Sequence, residues 1–213
     1  LARRERERFL REAAVLAQLD HPNIVRIFDS GITAAGEPFL ALELLKGETL
    51  AQRMQTTGAQ PPAEAVWITD QLLAGLNAAH AAGVVHRDLK HPNVFLARIG
   101  GHVSVKLLDF GIAKVADGGR LTATGMLLGT PRYIAPEVIR GAPADERADI
   151  WAAGMLLYEM LLGRPAYPGT PDEALRAIAQ GPPAPLRALA PSLPPLLFDV
   201  VESALAYDPT RRF

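Results

Sequence analysis

Apolar and polar residues follow a helical period at the start of the chain. Over residues 4–19 apolar positions recur three or four residues apart among charged neighbours, and a His-Pro pair then ends the pattern. Two short β-prone runs follow at residues 24–28 and 38–45, separated by the turn-rich residues 33–37. This pattern predicts one amphipathic helix packed on two antiparallel strands.

The remainder of the chain is mostly helical in pattern. A second hairpin interrupts the helices, with strands over residues 94–97 and 103–108 and a turn at Gly100-Gly101. The most apolar run, residues 150–162, contains Glu159 and is too short to span a bilayer, so it predicts a helix buried in a protein core. Helices are predicted over residues 50–54, 63–82, 145–162, 171–180 and 193–206.

Composition narrows the function classes. The 213 residues are enough for one large domain with a buried core. Because 22 Lys and Arg are matched by 23 Asp and Glu, the net charge of −1 gives no reason to expect nucleic acid or a membrane surface as partner. The absence of cysteine excludes disulfides, thiolate catalysis and zinc-thiolate sites, and is compatible with a cytosolic compartment.

Polar residues with complementary chemistry are concentrated between the helix of residues 63–82 and the second hairpin. The segment His-Arg-Asp-Leu-Lys-His-Pro-Asn, residues 86–93, carries Asp88, Lys90 and Asn93, and Asp109-Phe-Gly ends the hairpin. Phosphoryl transfer requires a carboxylate that orients a hydroxyl, a cation near the transferred phosphate and oxygen ligands for magnesium. The segment and the hairpin end supply all three groups.

These motifs, together with Ala135-Pro-Glu further along, occur in the order typical of one family. The chain resembles the eukaryotic-type (Hanks-type) protein serine/threonine kinases, bacterial branch, over essentially its whole length. The resemblance implies an α+β, two-lobe protein-kinase-like fold. Residues 1–45 would form a partial N-lobe with helix C and strands 4 and 5, and residues 46–213 would form a mostly helical C-lobe that lacks its extreme C-terminus.

The resemblance also implies roles for the polar residues. Asp88 would be the catalytic base and Lys90 would contact the transferred phosphate of ATP. Asn93 and Asp109 would hold Mg²⁺ or Mn²⁺. An isolated Asp or Asn in a loop more often caps a helix or closes a turn, but the joint pattern favours the catalytic roles. We refer to residues 86–93 as the catalytic loop.

On the nucleotide side, the resemblance makes Glu12 the helix-C glutamate that pairs with the ATP-anchoring lysine. Leu42 would be the gatekeeper, and the backbone from Glu43 to Leu45 would face the adenine. Two further residues would line the adenine pocket or serve as ordinary core residues: Phe95 and Leu108. A packed column linking helix C to the catalytic loop would contain Leu16, Ile27, His86 and Phe110.

Regulatory residues follow from the same resemblance. Arg87 and Lys114 would receive phosphate on the activation loop, with Thr122 and Thr124 as the phosphorylation sites. The alternative is that these are two threonines in a flexible loop. Lys90 and Thr130 resemble the serine/threonine branch rather than the tyrosine branch of the family.

Four other residues are interpreted as taking no part in the chemistry. Asp149 resembles the helix-F aspartate that anchors the catalytic loop, and Glu137 with Arg212 resembles the buried ion pair of the family. His91 stands where most relatives have proline, and we expect a surface histidine with no role there.

The 213 residues contain no glycine-rich loop and no strand-3 lysine before Glu12, so the chain alone is expected to have little or no activity. We expect a cytoplasmic kinase, or the cytoplasmic domain of a membrane-anchored one. It would act on serine and threonine of proteins and, through self-association, on itself. A pseudokinase or scaffold is the alternative function, although it would have no physical need for all four catalytic residues. An unrelated helical binding protein would explain the helices but not the polar spacing.

Overall fold

The computed structural model describes residues 3–111 and 131–213. Its five strands are β1 Ile27–Ile32, β2 Pro38–Leu42, β3 Gly47–Thr49, β4 Val94–Ile99 and β5 His102–Leu107. Its helices are α1 Arg3–Ala17, α2 Leu50–Thr57, α3 Pro62–Ala81, α4 Pro136–Ile139, α5 Glu146–Leu162, α6 Pro171–Gln180, α7 Leu186–Leu189 and α8 Pro195–Ala204. Single 3₁₀ turns occupy His91–Asn93, Pro131–Tyr133 and Pro209–Arg211.

The strands form two small antiparallel sheets. In the first, β1 pairs with β2, and Ile27 lies opposite Leu42. In the second, β4 is the central strand between β3 and β5. Gly100 and Gly101 turn this second hairpin with positive φ angles of 57° and 84°, a conformation that glycine adopts without steric cost. The predicted hairpins are confirmed, and β3 is an addition.

The first strand lies further along the chain than predicted. Residues 24–28 were expected to form it, but Val25 donates its N–H to the carbonyl of Leu107 and Ile24 forms an isolated parallel bridge with the same residue. The strand β1 therefore starts only at Ile27. The connection between α1 and β1 is thereby fixed to β5, the strand that leads to Asp109.

Helix α5 is the centre of the core. Almost every side chain from Ala148 to Leu161 is buried, as the apolar run had predicted. Asp145 caps its amino end by accepting a hydrogen bond from Arg147 N–H, and Gly163, in the left-handed region with φ 66°, ends it. Helices α3 and α8 both pack on α5, so α5 is the central helix of this part of the fold.

Close approach of α8 to α5 depends on a glycine. A Cβ atom at Gly154 would lie 2.8 Å from Cβ of Ala204 and 3.1 Å from a methyl group of Leu205. At this position α5 presents bare backbone to α8.

In the described part of the chain, no helix combines the length and apolarity that a membrane span requires.

Candidate active site

The catalytic loop is held by one buried carboxylate. Asp149, on α5, accepts hydrogen bonds from the backbone N–H groups of His86 (2.7 Å) and Arg87 (2.9 Å) and from Nε2 of His80 (2.8 Å). These donors satisfy a charge that would otherwise be costly to bury. They also hold Arg87 at φ 61°, a conformation rare for a residue with a side chain. The anchoring role predicted for Asp149 is confirmed.

Three predicted catalytic residues converge in the catalytic loop. Lys90 Nζ lies 2.9 Å from Asp88 Oδ2, and their side chains are 20% and 14% exposed. Asn93 Nδ2 donates to the backbone carbonyl of Asp88 (2.9 Å) and to Asp88 Oδ2 (3.2 Å). A carboxylate, an ammonium and a carboxamide therefore form one half-buried cluster.

Asp109 is held against this cluster by backbone bonds on both sides. Before it, Leu108 donates its N–H to the carbonyl of Asn93 (2.9 Å) and accepts from Nε2 of His86 (2.9 Å). After it, Gly111 donates its N–H to the carbonyl of His86 (2.8 Å). Asp109 itself has φ 47° and an exposed side chain. Its carboxylate is thus free of the core while its backbone is fixed to the catalytic loop.

These residues suit a magnesium ion. Asn93 uses its amide nitrogen toward Asp88, so its amide oxygen remains available as a hard ligand beside the exposed Asp109 carboxylate. No group of three or more His, Asp or Glu ligands occurs among the described residues. Mg²⁺ is bound through one or two carboxylates and completes its shell with water and substrate phosphate, so the oxygens of Asn93 and Asp109 are a suitable ligand pair for it.

The predicted column between α1 and the catalytic loop is present. The rings of His86 and Phe110 stack with centroids 4.5 Å apart. Phe110 also lines a cavity of about 20 Å³, the size of a single water, together with Leu16 and Ile27. Burial lowers the pKa of His86, so the ring is neutral and donates through Nε2 to Leu108.

The proposed adenine-contacting residues are only partly brought together. Leu42 and Asp109 share the walls of the small cavity, but Leu45, Phe95 and Leu108 do not line it. Glu43 donates its N–H to the carbonyl of Arg26 (2.9 Å), so this N–H is already occupied within the protein.

Glu43 also has a side-chain partner that the sequence did not indicate. Its carboxylate lies 2.6 Å from Nζ of Lys106, a nearly buried ammonium on β5 that also donates to the carbonyl of Ile24. Burial alone would raise the pKa of Glu43, but the bonds from Lys106 and from Arg26 N–H hold it below its ordinary value. This pair ties the end of β2 to the strand that precedes Asp109.

The side chain of Glu12, which we predict to be the helix-C glutamate, lies near the catalytic loop. Glu12 Oε1 lies 3.9 Å from a guanidinium nitrogen of Arg87, with both side chains partly exposed. Arg87, predicted to receive phosphate, is therefore close to α1. Its expected partners Thr122 and Thr124, with Lys114 and Thr130, lie outside the described residues.

The predicted ion pair behind the site is confirmed. Arg212, whose side chain is fully buried, makes two hydrogen bonds of 2.7 and 2.8 Å to the carboxylate of Glu137. It also donates to the backbone carbonyls of Arg147 and Ala206. The last described segment is thus fixed to α4 and α5.

The expectation of a surface position for His91 was wrong. Its side chain is buried, with only 7% of the residue exposed, and it contacts Tyr133 and Glu159. The sequence offered one signal, the histidine in place of proline, but the depth of burial depends on α5 and on Pro131–Tyr133. These elements are remote in sequence, so local pattern could not reveal it.

Comparison with known proteins agrees with this geometry. The model of the protein kinase domain family matches residues 2–213. The serine/threonine-protein kinase PkaA of Streptomyces coelicolor is 42% identical over 96% of the chain, which covers 37% of that protein. PknL of Mycobacterium tuberculosis is 37% identical over 97% of the chain, covering 51% of that protein. The chain thus spans between a third and about half of the length of these curated relatives.

A solved structure shares the fold. The crystal structure of a point mutant of the Mycobacterium tuberculosis PknI kinase domain superposes with a TM-score of 0.75 at 31% identity, covering 99% of this chain and 74% of that one. The α+β architecture, the family match and these bacterial relatives all support the same family assignment. The chain belongs to the protein kinase domain family, in the branch of bacterial serine/threonine kinases.

Proposed function

We propose that the full-length protein containing this chain transfers the γ-phosphate of ATP to serine and threonine hydroxyls of proteins, including its own. The single observation that carries the proposal is the Asp88, Lys90 and Asn93 cluster with Asp109 fixed beside it by backbone bonds. Carboxylate, ammonium and oxygen ligands at these positions are what phosphoryl transfer requires.

Each residue of the cluster has a separate task in this proposal. Asp88 accepts a hydrogen bond from the substrate hydroxyl, orients the oxygen toward phosphorus and takes its proton. Lys90, already 2.9 Å from Asp88, offsets negative charge that develops on the transferred phosphate. Asn93 and Asp109 would hold the divalent ion, which would neutralise phosphate charge when bound.

Two lobes would divide these tasks. We assign residues 1–45 to a partial N-lobe and residues 46–213 to the C-lobe, since α1, β1 and β2 pack together while the catalytic residues cluster over α5. The chain alone, without a glycine-rich loop and its lysine, should have little or no turnover. Because ATP and Mg²⁺ are abundant in the cytoplasm, we place the reaction there.

Product chemistry and metal dependence test the proposal. Full-length protein with Mg²⁺, γ-labelled ATP and dephosphorylated casein should yield phosphoserine and phosphothreonine. Asp109→Asn should lower the rate by at least ~100-fold because the ion loses a charged ligand. Asp172→Asn, at an exposed aspartate on α6, is the matched control and should stay within twofold. A wild-type protein that transfers no phosphate would overturn the proposal.

A further inference from the structure

His91 occupies a buried position next to the catalytic residues. It directly follows Lys90 and begins the 3₁₀ turn His91–Asn93, whose bond from Asn93 N–H to the carbonyl of Lys90 is 2.9 Å long. Its Nδ1 lies 2.9 Å from the hydroxyl of Tyr133, and the two rings meet edge to face at 5.6 Å. Any change in this contact acts on the backbone one residue from Lys90.

The contact is one link of a chain of hydrogen bonds. The hydroxyl of Tyr133 donates to Glu159 Oε2 (3.0 Å), and Glu159 Oε1 accepts the N–H of Ala166 (2.8 Å). With Glu159 as the ionised acceptor of the Tyr133 proton, the Tyr133 oxygen is left to accept from His91. His91 is therefore the tautomer with hydrogen on Nδ1.

The remaining groups of His91 agree with this tautomer. Its Nε2 is buried and has no hydrogen-bond partner among the described residues. In the Nδ1–H form this atom carries a lone pair rather than an orphaned N–H. A charged ring would leave the buried Nε2–H without an acceptor, so the 3.5 Å approach of Nδ1 to Glu159 is not an ion pair.

The chain of bonds joins three parts of the site. His91 belongs to the catalytic loop, Glu159 to the central helix α5, and Tyr133 to the segment Pro131–Tyr133 that follows the activation loop. That segment is held on its other side by Arg132, which donates to the backbone carbonyls of Tyr167 (2.6 Å) and Gly169. On the side of the catalytic loop, His91 contacts this segment through Tyr133.

We propose that His91 is a positioning residue, which fixes Lys90 and Asp88 relative to Pro131–Tyr133 by donating from Nδ1 to Tyr133. Because His91 directly follows Lys90, the bond ties the backbone that carries Asp88 and Lys90 to this segment, and its loss should displace the groups that act on the acceptor hydroxyl. Proline, which the family resemblance leads one to expect at this position, has no side-chain donor and could not make the link. The inference rests on the kinase activity proposed above.

Substitutions at His91 separate the hydrogen bond from packing. His91→Leu fills the space without a donor, whereas His91→Asn places an amide N–H where Nδ1–H lies. In the full-length protein with casein and Mg·ATP, His91→Leu should lower kcat/KM for casein about tenfold, the rate equivalent of one buried hydrogen bond, with the KM for ATP unchanged. His91→Asn should stay within about threefold. His102→Leu, the same change at an exposed histidine, should have no effect.

Tyr133→Phe completes a double-mutant cycle. It removes the same acceptor, so the double variant with His91→Leu should be no slower than the slower single variant. The tautomer gives a second readout that needs no variant to fold, since ¹⁵N NMR at pH 7 should show His91 neutral with hydrogen on Nδ1.

Three results would overturn the positioning role: His91→Leu as active as wild type, His91→Asn as impaired as His91→Leu, or a tautomer with hydrogen on Nε2. Each of these leaves the kinase activity intact. Loss of all phosphotransfer in the wild type would instead refute the proposed function together with the inference.

Discussion

Acidification should destabilise the folded protein through His91, by an amount that follows from its pKa. Burial lowers that pKa from 6.5 to about 4. As pH falls, the unfolded chain binds a proton at His91 before the folded chain does, so stability is complete above pH 6.5 and is lost progressively toward pH 4. Between pH 7 and pH 5 the loss at this one group is about 2 kcal/mol.

Of the groups that face His91, Tyr133 does not titrate and Glu159 opposes the loss, so the contribution of His91 is read from a comparison with a variant that keeps both. Tyr133 stays protonated throughout, since burial raises its pKa. Burial also raises the pKa of Glu159, against the bonds from Ala166 and Tyr133, so the folded chain takes up that proton first and gains stability as pH falls. Glu159 is present in both wild type and a His91 variant, so its contribution largely cancels in their comparison.

Urea unfolding of wild type and His91→Asn at pH 7 and pH 5 measures the effect. Asparagine does not titrate, so the wild type should lose roughly 2 kcal/mol more than the variant on acidification. The fluorescence of Trp151, buried beside Arg212, reports unfolding. Equal pH dependence in the two proteins would refute a buried, neutral His91.

Three further substitutions test the framework that supports the site. Asp149→Asn leaves one of the two catalytic-loop N–H groups facing an amide N–H, and should lower the free energy of unfolding by about 3 kcal/mol in a thermal unfolding experiment. It should also lower the rate of phosphotransfer at least ~10-fold, the effect of misplacing one contact in the catalytic loop. Arg212→Lys cannot make two parallel bonds to Glu137 and should cost about 2–3 kcal/mol in urea unfolding, while Arg187→Lys, at an exposed pair, should cost less than about 0.5 kcal/mol. Gly154→Ala overpacks α5 against α8 and should cost about 1–3 kcal/mol by calorimetry, whereas Gly181→Ala, with open space around it, should be close to neutral.

Residues that start and end helices made the longer helices predictable from the sequence. The expected helix at 171–180 matches α6 residue for residue, and that at 63–82 differs from α3 by one residue at each end. In both, proline opens the helix and glycine lies shortly after its end. The predicted helix at 193–206 was too long, because prolines at 194 and 195 delay its start and α8 ends at Ala204.

Features set by distant contacts were missed or displaced. The first strand was placed three residues early because Ile24 and Val25, which look β-prone, pair with Leu107 instead. Strand β3 has only three residues and exists through pairing with β4, so no periodicity could reveal it.

In the site, motif order pointed to Asp88, Lys90 and Asn93, and the structure brings them together. Motif order also identified the anchor Asp149. It could not indicate the Lys106 to Glu43 pair or the burial of His91, because each depends on which segments the fold places side by side. A resemblance to a family thus predicts the catalytic residues that the family shares, but not the contacts that are particular to this chain.

The rate of phosphotransfer after removal of the Asp88 carboxylate tests the central claim most directly. With labelled ATP, Mg²⁺ and casein, the full-length protein should form phosphoserine and phosphothreonine, and Asp88→Asn should slow this at least ~100-fold while nucleotide binding is retained. A variant that transfers phosphate at the wild-type rate would contradict the assignment of Asp88, and with it the account of this cluster as the site of phosphoryl transfer.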